Sequence, residues 1–401
     1  MLAVASLAAA AAATKPMRGS SRRSNSGAPS RVEVAVDAGK VVNPAVNKRW
    51  MGCHSDFGFN QTPRGFTSNI IYGSSFEAGT MAVPAWSTVT NAPGNTTAGL
   101  LPGQSFGSKP SMGLSVAAGA PADAYVAAVN RGLGGVGLAF VGGATYDVTV
   151  WVWAGAPNIT AYVELRDFRA NTSLARVDFT AISTGPPWGS TWIPYNFTLT
   201  PSASTACVNI PYGSDPNIDC GTPATPAHIC VNCGGEFRVG TVGAGAGIMV
   251  GFVSLSPGPW GLLHGPTGPL PVLQSAADAL VAMGITAIRS GGSASQSIRW
   301  SDWRGPVWAR ASQQQAWYDS LLSGWGPFEV VDMANALGIE PIITMAYDSN
   351  DALAWADLVE YCWGAANTSW GGRRIADGHL EPYNVTVFEL GACRGVMGEG
   401  N

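Results

Sequence analysis

At 401 residues, with a formal net charge of −4, 12% charged residues, 9% aromatics and 15 tryptophans, the chain can fill two domains with separate cores. So few charges and so many aromatic rings exclude a disordered polyelectrolyte. No basic run is longer than a pair such as Arg22-Arg23, which excludes an electrostatic footprint for nucleic acid.

The first element in chain order is an apolar leader, Met1 to Ala13, ending in small residues. Residues 1–14 are therefore read as a signal peptide, and the polar stretch 15–30 as a disordered linker. Hydrophobics then alternate at Val32, Val34 and Val36, as in a half-buried strand, and Trp50 to Ser55 is a second short strand. From residue 69 to 257 short runs of period two are separated by Gly, Pro, Asn and Ser clusters: Tyr146 to Trp153, Thr160 to Leu165, Arg176 to Ile182, Trp192 to Thr200 and Ile248 to Leu255. Strands at that spacing without helices between them predict an antiparallel β-sandwich of the jelly-roll kind. The most apolar of these runs, Ile248 to Leu255, is of strand length, too short to span a bilayer.

After Trp260 the period changes. Leu273, Ala276, Ala277, Leu280 and Val281 recur at helical spacing, and Gly284 stops that helix before the buried strand Ile285 to Ile288. Pro327 opens a second helix closed by Gly338, the strand Ile339 to Ala346 follows, and Asn350 or Asp351 caps a third helix running through Tyr361. Val385 to Leu390 is the last strand. Strand and helix alternation with apolar strands is a parallel α/β arrangement. The fold class is thus α/β plus β: a partial (β/α)8 TIM barrel, its first four strands, with an inserted sandwich. Residues 31–68 supply the first barrel strands, 69–257 the insert and 258–401 the rest of the barrel domain. Four strands of eight cannot close, so a C-terminally truncated barrel is expected.

Seven asparagines, Asn60, Asn95, Asn158, Asn171, Asn196, Asn367 and Asn384, begin an Asn-x-Ser/Thr sequon. Together with the leader they point to a secreted, extracellular glycoprotein. There are seven cysteines, four of them (Cys207, Cys220, Cys230 and Cys233) within a short span. Zinc would want a second close pair beside Cys230/Cys233, so disulfides are expected there and no metal. Connectivity is left open. Trp151 and Trp153 share one face of a strand and form a candidate platform for stacking on sugar rings, with burial in the sandwich as the alternative.

Several motifs together resemble family 51 α-L-arabinofuranosidases. These are Arg289 followed by Gly291-Gly292, Trp300-x-Asp302 with Gly305-Pro306, the run Gly326 to Pro341, Asp357 to Tyr361, and Gly378-His379-x-Glu381-Pro382-Tyr383-Asn384-Val385 leading into Phe388-Glu389-Leu390-Gly391. Lys40 to Asp56 resembles that family's entry into its first strand, and Ser75 to Gly79 the carbohydrate-binding-module-like insert of plant-type members. The resemblance implies a retaining glycosidase that uses two glutamates and no cofactor on arabinose-containing polysaccharide. It places the acid/base in Gly-Asn-Glu after the fourth strand, where this chain reads Gly391-Ala392-Cys393. The nucleophile would come from a later strand. No catalytic residue is therefore intact. By the same resemblance Asp56, Arg289 and Ser293 would contact substrate, with Arg289 either binding sugar or orienting a carboxylate. Two functions compete: a hydrolase of α-L-arabinofuranosyl side chains, inactive as this fragment, and a non-catalytic secreted carbohydrate-binding protein.

Overall fold

The computed structural model describes residues 17–18, 33–34, 52–55, 66–76, 85–107, 109–182, 191–211, 213–215, 218, 229–291, 299–310, 313–315, 318–322, 325–345 and 351–390. The chain divides into two compact units, Met1–Asn47 and Lys48–Asn401. In the first, β1 (Met17–Arg18) pairs antiparallel with β2 (Glu33–Val34). The strand read at Val32 to Val36 thus finds its partner in the stretch read as a linker. Alternation marks a strand but says nothing about what it pairs with.

The second unit opens with β3 (Gly52–Ser55) and then builds the sandwich. Its strands are β4 (Trp86–Thr90), β5 (Thr96–Phe106), β6 (Lys109–Val116), β7 (Tyr125–Asn130), β8 (Tyr146–Ala154), β9 (Ile159–Asp167), β10 (Thr172–Ala181) and β11 (Ile193–Leu199). A hairpin of β12 (Cys207–Pro211) and β13 (Ile229–Cys233) follows, then β14 (Gly235–Val242) and β15 (Gly247–Pro257). The two sheets have the orders β10-β9-β14-β7-β4 and β11-β8-β15-β6-β5. Period two decides what each strand buries. In β8, Tyr146, Val148, Val150, Val152 and Ala154 are buried, while Asp147, Thr149, Trp151 and Trp153 point the other way. The buried set meets Ala161, Val163, Leu165, Phe237 and Val239 of the facing sheet in one core. Each large apolar side chain so buried stabilises the sandwich by about 1.5–3 kcal/mol.

The ends of the insert are tied together. Thr67 bridges Val272, Leu273 N donates to Phe66 O at 2.9 Å, and Ser68 N donates to Pro271 O at 3.0 Å. The partner segment is a hairpin of β16 (Leu262–Gly265) and β17 (Gly268–Leu273). Chain entry and exit at one point is what allows a whole sandwich to interrupt an α/β domain.

The α/β part continues with α1 (Gln274–Ala282), β18 (Ala287–Ser290), the short hairpin β19 (Gln313–Gln315) and β20 (Tyr318–Leu322), and α2 (Pro327–Leu337). It ends with β21 (Glu340–Met345), α3 (Ala352–Trp363), α4 (Ser369–Ala376) and β22 (Val387–Leu390). The sheet order is β22-β21-β18-β3, every neighbour parallel. The helix signals act as read. Pro327 sits in the first turn of α2, and Gly338 ends it in the left-handed region at φ 69°. Asp351 caps α3 by accepting from Ala354 N at 2.8 Å. Helix α4, capped by Thr368, carries two glycines that hid it from the period count.

Candidate functional site

The carboxyl ends of the parallel strands are where sites form in such sheets. On β18 and β21, Ile288 and Ile343 pack against the helices, Ile288 with Leu280, Val330 and Met333, and Ile343 with Phe328, Val331 and Leu358. Alternation turns Arg289, Thr344 and Glu389 to the opposite face of the sheet. There Arg289 reaches across β21 and grips Glu389 with two bonds, Nε to Oε2 at 2.5 Å and Nη2 to Oε1 at 2.8 Å. Thr344 Oγ1 donates to Glu389 Oε2 at 2.8 Å. The pair is partly open to solvent, with 29% of the Arg289 and 40% of the Glu389 side chain exposed. Arg289 is thus paired with the Glu389 carboxylate. A bidentate clamp plus a hydroxyl fixes the carboxylate plane on the open face of the sheet.

The glycine after this arginine has a steric reason. Gly291 lies at φ +99°, and a β-carbon there would sit 2.0 Å from Thr344 O. Only glycine lets the chain leave β18 along that path.

Behind the sheet, the other motif residues form a packed and hydrogen-bonded frame. Trp300 and Trp303 are buried in a short turn, with Trp300 against Tyr361 (5.3 Å between ring centres) and Trp370 (4.8 Å). Arg304 pairs with Asp377 at 2.6 Å, and Tyr361 donates its hydroxyl to the same carboxylate at 3.0 Å. Buried Arg310 binds Gly305 O and Glu329, while Glu329 accepts from Gly326 N at 2.8 Å, so the Gly305-Pro306 loop is pinned to the start of α2. Arg374, 2% exposed, donates to the carbonyls of Tyr361, Cys362, Gly364, His379 and Leu380. It thereby satisfies carbonyls at the end of α3, where Cys362 O also accepts from Tyr383 N at 2.9 Å.

In the run from Gly378, His379 stacks on Tyr383 at 3.8 Å and hydrogen-bonds Asp332 of α2 at 3.1 Å. Burial raises the Asp332 carboxyl above its ordinary range despite the histidine. For His379, burial opposes charging, but the Asp332 bond and charge outweigh it and the imidazole pKa is raised. Burial pushes the Cys362 thiol up to about 12 and raises that of Cys53, so neither is a ready nucleophile.

Of the other expected site residues, Asp56, Ser293 and Cys393 lie outside the described residues, as do Cys220 and the sequon at Asn60. The remaining sequon asparagines, Asn95, Asn158, Asn171, Asn196, Asn367 and Asn384, are all exposed. Cys207 bonds Cys233 directly across the β12–β13 hairpin. That cross-link joins the two strands of a hairpin. Cys230 lies on β13, three pairs along the ladder. No group of His, Cys, Asp or Glu able to hold a metal occurs among the described residues.

Trp151 and Trp153 do share the outer face of β8, but their surroundings differ. The Trp151 ring lies 4.4 Å from Trp308 and 4.9 Å from Phe106, so it belongs to the contact between sandwich and α/β part. Lys109, also buried, lends its ammonium to Trp308 O at 3.4 Å in the same contact. Trp153 is half-buried, with no ring partner among the described residues. Sequence reading missed Glu389 as the partner of Arg289, together with Arg310 and Arg374. Each is a single residue whose partner is distant in sequence, and one sequence holds no signal for such pairs.

Residues 279–400 match the family model described as the Alpha-L-arabinofuranosidase 1 domain. Probable α-L-arabinofuranosidase C of Aspergillus flavus is 33% identical over 119 residues, covering 28% of this chain and 23% of that protein. The intracellular exo-α-(1→5)-L-arabinofuranosidase of Bifidobacterium longum is 26% identical over 120 residues, 29% of this chain and 21% of that one. Among solved structures, an arabinose-bound GH51 α-L-arabinofuranosidase superposes with a TM-score of 0.61 at 18% identity, covering 85% of this chain and 53% of that one. This chain therefore spans about half of the solved enzyme, and its matched segment under a quarter of the curated relatives. The structural likeness shows the fold, a TIM-barrel plus sandwich-type architecture, into which the four parallel strands and the insert fit. Residues 279–400 are thus similar to the Alpha-L-arabinofuranosidase 1 domain, and the fold of the chain is similar to that of a GH51 α-L-arabinofuranosidase.

Proposed function

We propose that this protein acts on α-L-arabinofuranosyl groups of plant or algal wall polysaccharide, as a glycoside hydrolase of the retaining kind. One observation carries the reading: the matched segment, residues 279–400, coincides with β18, β21, β22 and their helices, the part of the fold that builds the site. In a retaining mechanism one carboxylic acid protonates the leaving oxygen while a second carboxylate attacks the anomeric carbon and forms a glycosyl-enzyme. Glu389, held by Arg289 and Thr344, serves as a fixed negative charge on the open face of the sheet. The position that the family resemblance gives to the acid/base is Cys393. A thiol of ordinary pKa about 8.5 is a far weaker acid than glutamic acid at about 4.3. Loss of general acid–base help typically costs 10²–10⁴-fold in rate. This chain is accordingly proposed to recognise arabinofuranosides and to hydrolyse them at most at a residual rate.

The sandwich is proposed to supply polysaccharide binding, which is the second reading, a carbohydrate-binding protein without turnover. The exposed sequons and the apolar leader support secretion as a glycoprotein. Among the described residues no helix is long and apolar enough to cross a membrane.

The test is to incubate the full chain with α-1,5-L-arabinotriose and follow L-arabinose release beside a thermal-shift assay for binding. Binding with negligible release is the expected result. Release at the rates usual for enzymes, on the order of 1–10³ s⁻¹, would show that Cys393 does not stand at the acid/base position. Neither binding nor release would remove the arabinofuranoside reading.

A further inference from the structure

The sandwich holds a cavity of about 420 Å³ that no sequence motif announced. It lies between the disulfide-bonded hairpin β12–β13 and the turn that joins β9 to β10, with Arg131 from the end of β7 closing one side. Its size falls within the roughly 300–1,000 Å³ of small-molecule sites. The strand register explains its lining. Val208 pairs with Asn232, directly opposed residues of an antiparallel pair point to one face, and Ile210 lies two residues along the same strand face. Val208, Ile210 and Asn232 are thus on the face of the hairpin that lines the cavity.

Asn232 is the decisive residue. It is only 5% exposed, its carbonyl accepts from Arg169 Nη2 at 3.0 Å, and its side-chain amide has no hydrogen-bond partner among the described residues. The amide opens onto the cavity and is not sealed from solvent, so a ligand hydroxyl can take the place of the water it would otherwise bind. The rest of the cavity is built and held. Arg169 also donates to Ala206 O at 3.2 Å, tying the turn to the hairpin. The Arg131 guanidinium lies 4.0 Å from the centre of the Phe168 ring, and its Nε donates to fully buried Glu236 at 3.0 Å. That leaves the Arg131 Nη groups with no partner among the described residues.

The chemistry selects the ligand. Val208, Ile210 and Phe168 give an apolar wall for C–H groups, and Asn232 and Arg131 give planar donors and an acceptor for neighbouring hydroxyls. The lining carries both signs of charge, Arg131 and Arg169 beside Asp215, and Arg131 is held by Glu236, which Arg238 also grips, so the cavity is not a purely cationic anion trap. We propose that this cleft binds one neutral sugar residue of a polysaccharide chain, through its C–H face on Val208 and Phe168 and its hydroxyls on Asn232 and Arg131. The proposal deepens the reading of the sandwich as a sugar-binding module and rests on it.

The test is affinity electrophoresis of the full chain in gels holding arabinoxylan, debranched arabinan or polygalacturonate. Wild type, Asn232→Ala, Val208→Trp and Trp153→Ala are compared, and thermal melts show that each is folded. Val208 is an exposed surface residue, so filling the cleft by Val208→Trp need not disturb the fold. Retention of wild type and Trp153→Ala in a neutral gel, with at least tenfold weaker retention of both cleft variants, is expected. Wild-type retention by both cleft variants overturns the proposal. Loss in Trp153→Ala alone also overturns it, moving the site to the sheet face and leaving the sugar-binding reading intact. Retention only by polygalacturonate overturns the neutral-sugar assignment, and retention in no gel overturns cleft and module together.

Discussion

Replacing Arg374 by methionine keeps most of its volume and removes every donor. The magnitude follows from the geometry. Its two shortest bonds, 2.9 Å to Gly364 O and 3.1 Å to Tyr361 O, come from a charged group that is 2% exposed. Bonds to a charged partner contribute about 1.5–3 kcal/mol each. The three longer ones, at 3.3–3.5 Å, are counted as nothing. Allowing for relaxation around the methionine, the expected loss is about 3–5 kcal/mol, in the range of breaking a buried polar network. At roughly 2–4 °C per kcal/mol for a domain of 150–250 residues, the melting temperature falls by about 10 °C. Differential scanning calorimetry of Arg374→Met and wild type reads this directly. A fall below about 2 °C would refute the claim that this arginine satisfies the carbonyl end of α3, because those carbonyls would then be finding water.

Three further predictions concern pH, the contact between the two parts, and modification. Asp332 and His379 both hold protons more tightly when folded, so the joint they make is most stable below about pH 6.5, the ordinary histidine value. Its stability declines as pH rises through the raised folded pKa of His379. Urea midpoints between about pH 5.5 and 8.5 should fall in wild type and flatten in His379→Gln; a midpoint that rises with pH contradicts the assignment. Trp308→Ala removes the ring 4.4 Å from Trp151 and should cost about 1–3 kcal/mol at a half-buried aromatic contact, separating the unfolding of sandwich and α/β part in guanidinium. One unshifted transition would show that the contact carries no energy. Expressed through a eukaryotic secretory pathway, the chain should lose mass on peptide-N-glycosidase F treatment, most of it from the exposed asparagines Asn95, Asn158, Asn171, Asn196, Asn367 and Asn384. An unchanged mass would count against the secreted reading.

Strong local signals were legible in the sequence. The α2 helix is bounded by Pro327 and Gly338, and α3 by the Asp351 cap, because capping and proline chemistry act within a few residues. Strands β8 and β15 stood out because their buried faces carry large apolar side chains. Strands β4 and β5 did not, since threonine, serine, glycine and alanine make up most of them, and in β4 to β7 packing between sheets decides the conformation. The candidate site divides the same way. Arg289 and Gly291 are readable from the motif they share, whereas the Arg289–Glu389 clamp joins residues a hundred positions apart. The cleft under Asn232 depends on a hairpin register that the cysteine spacing left open.

The central claim, recognition of arabinofuranosyl groups, is tested most directly by isothermal titration of the full chain with α-1,5-L-arabinotriose, xylotriose and cellotriose under identical conditions. Affinity for arabinotriose at least tenfold above that for the other two is the predicted result. Equal affinity for all three, a preference for xylotriose or cellotriose, or no heat with any of them would contradict it.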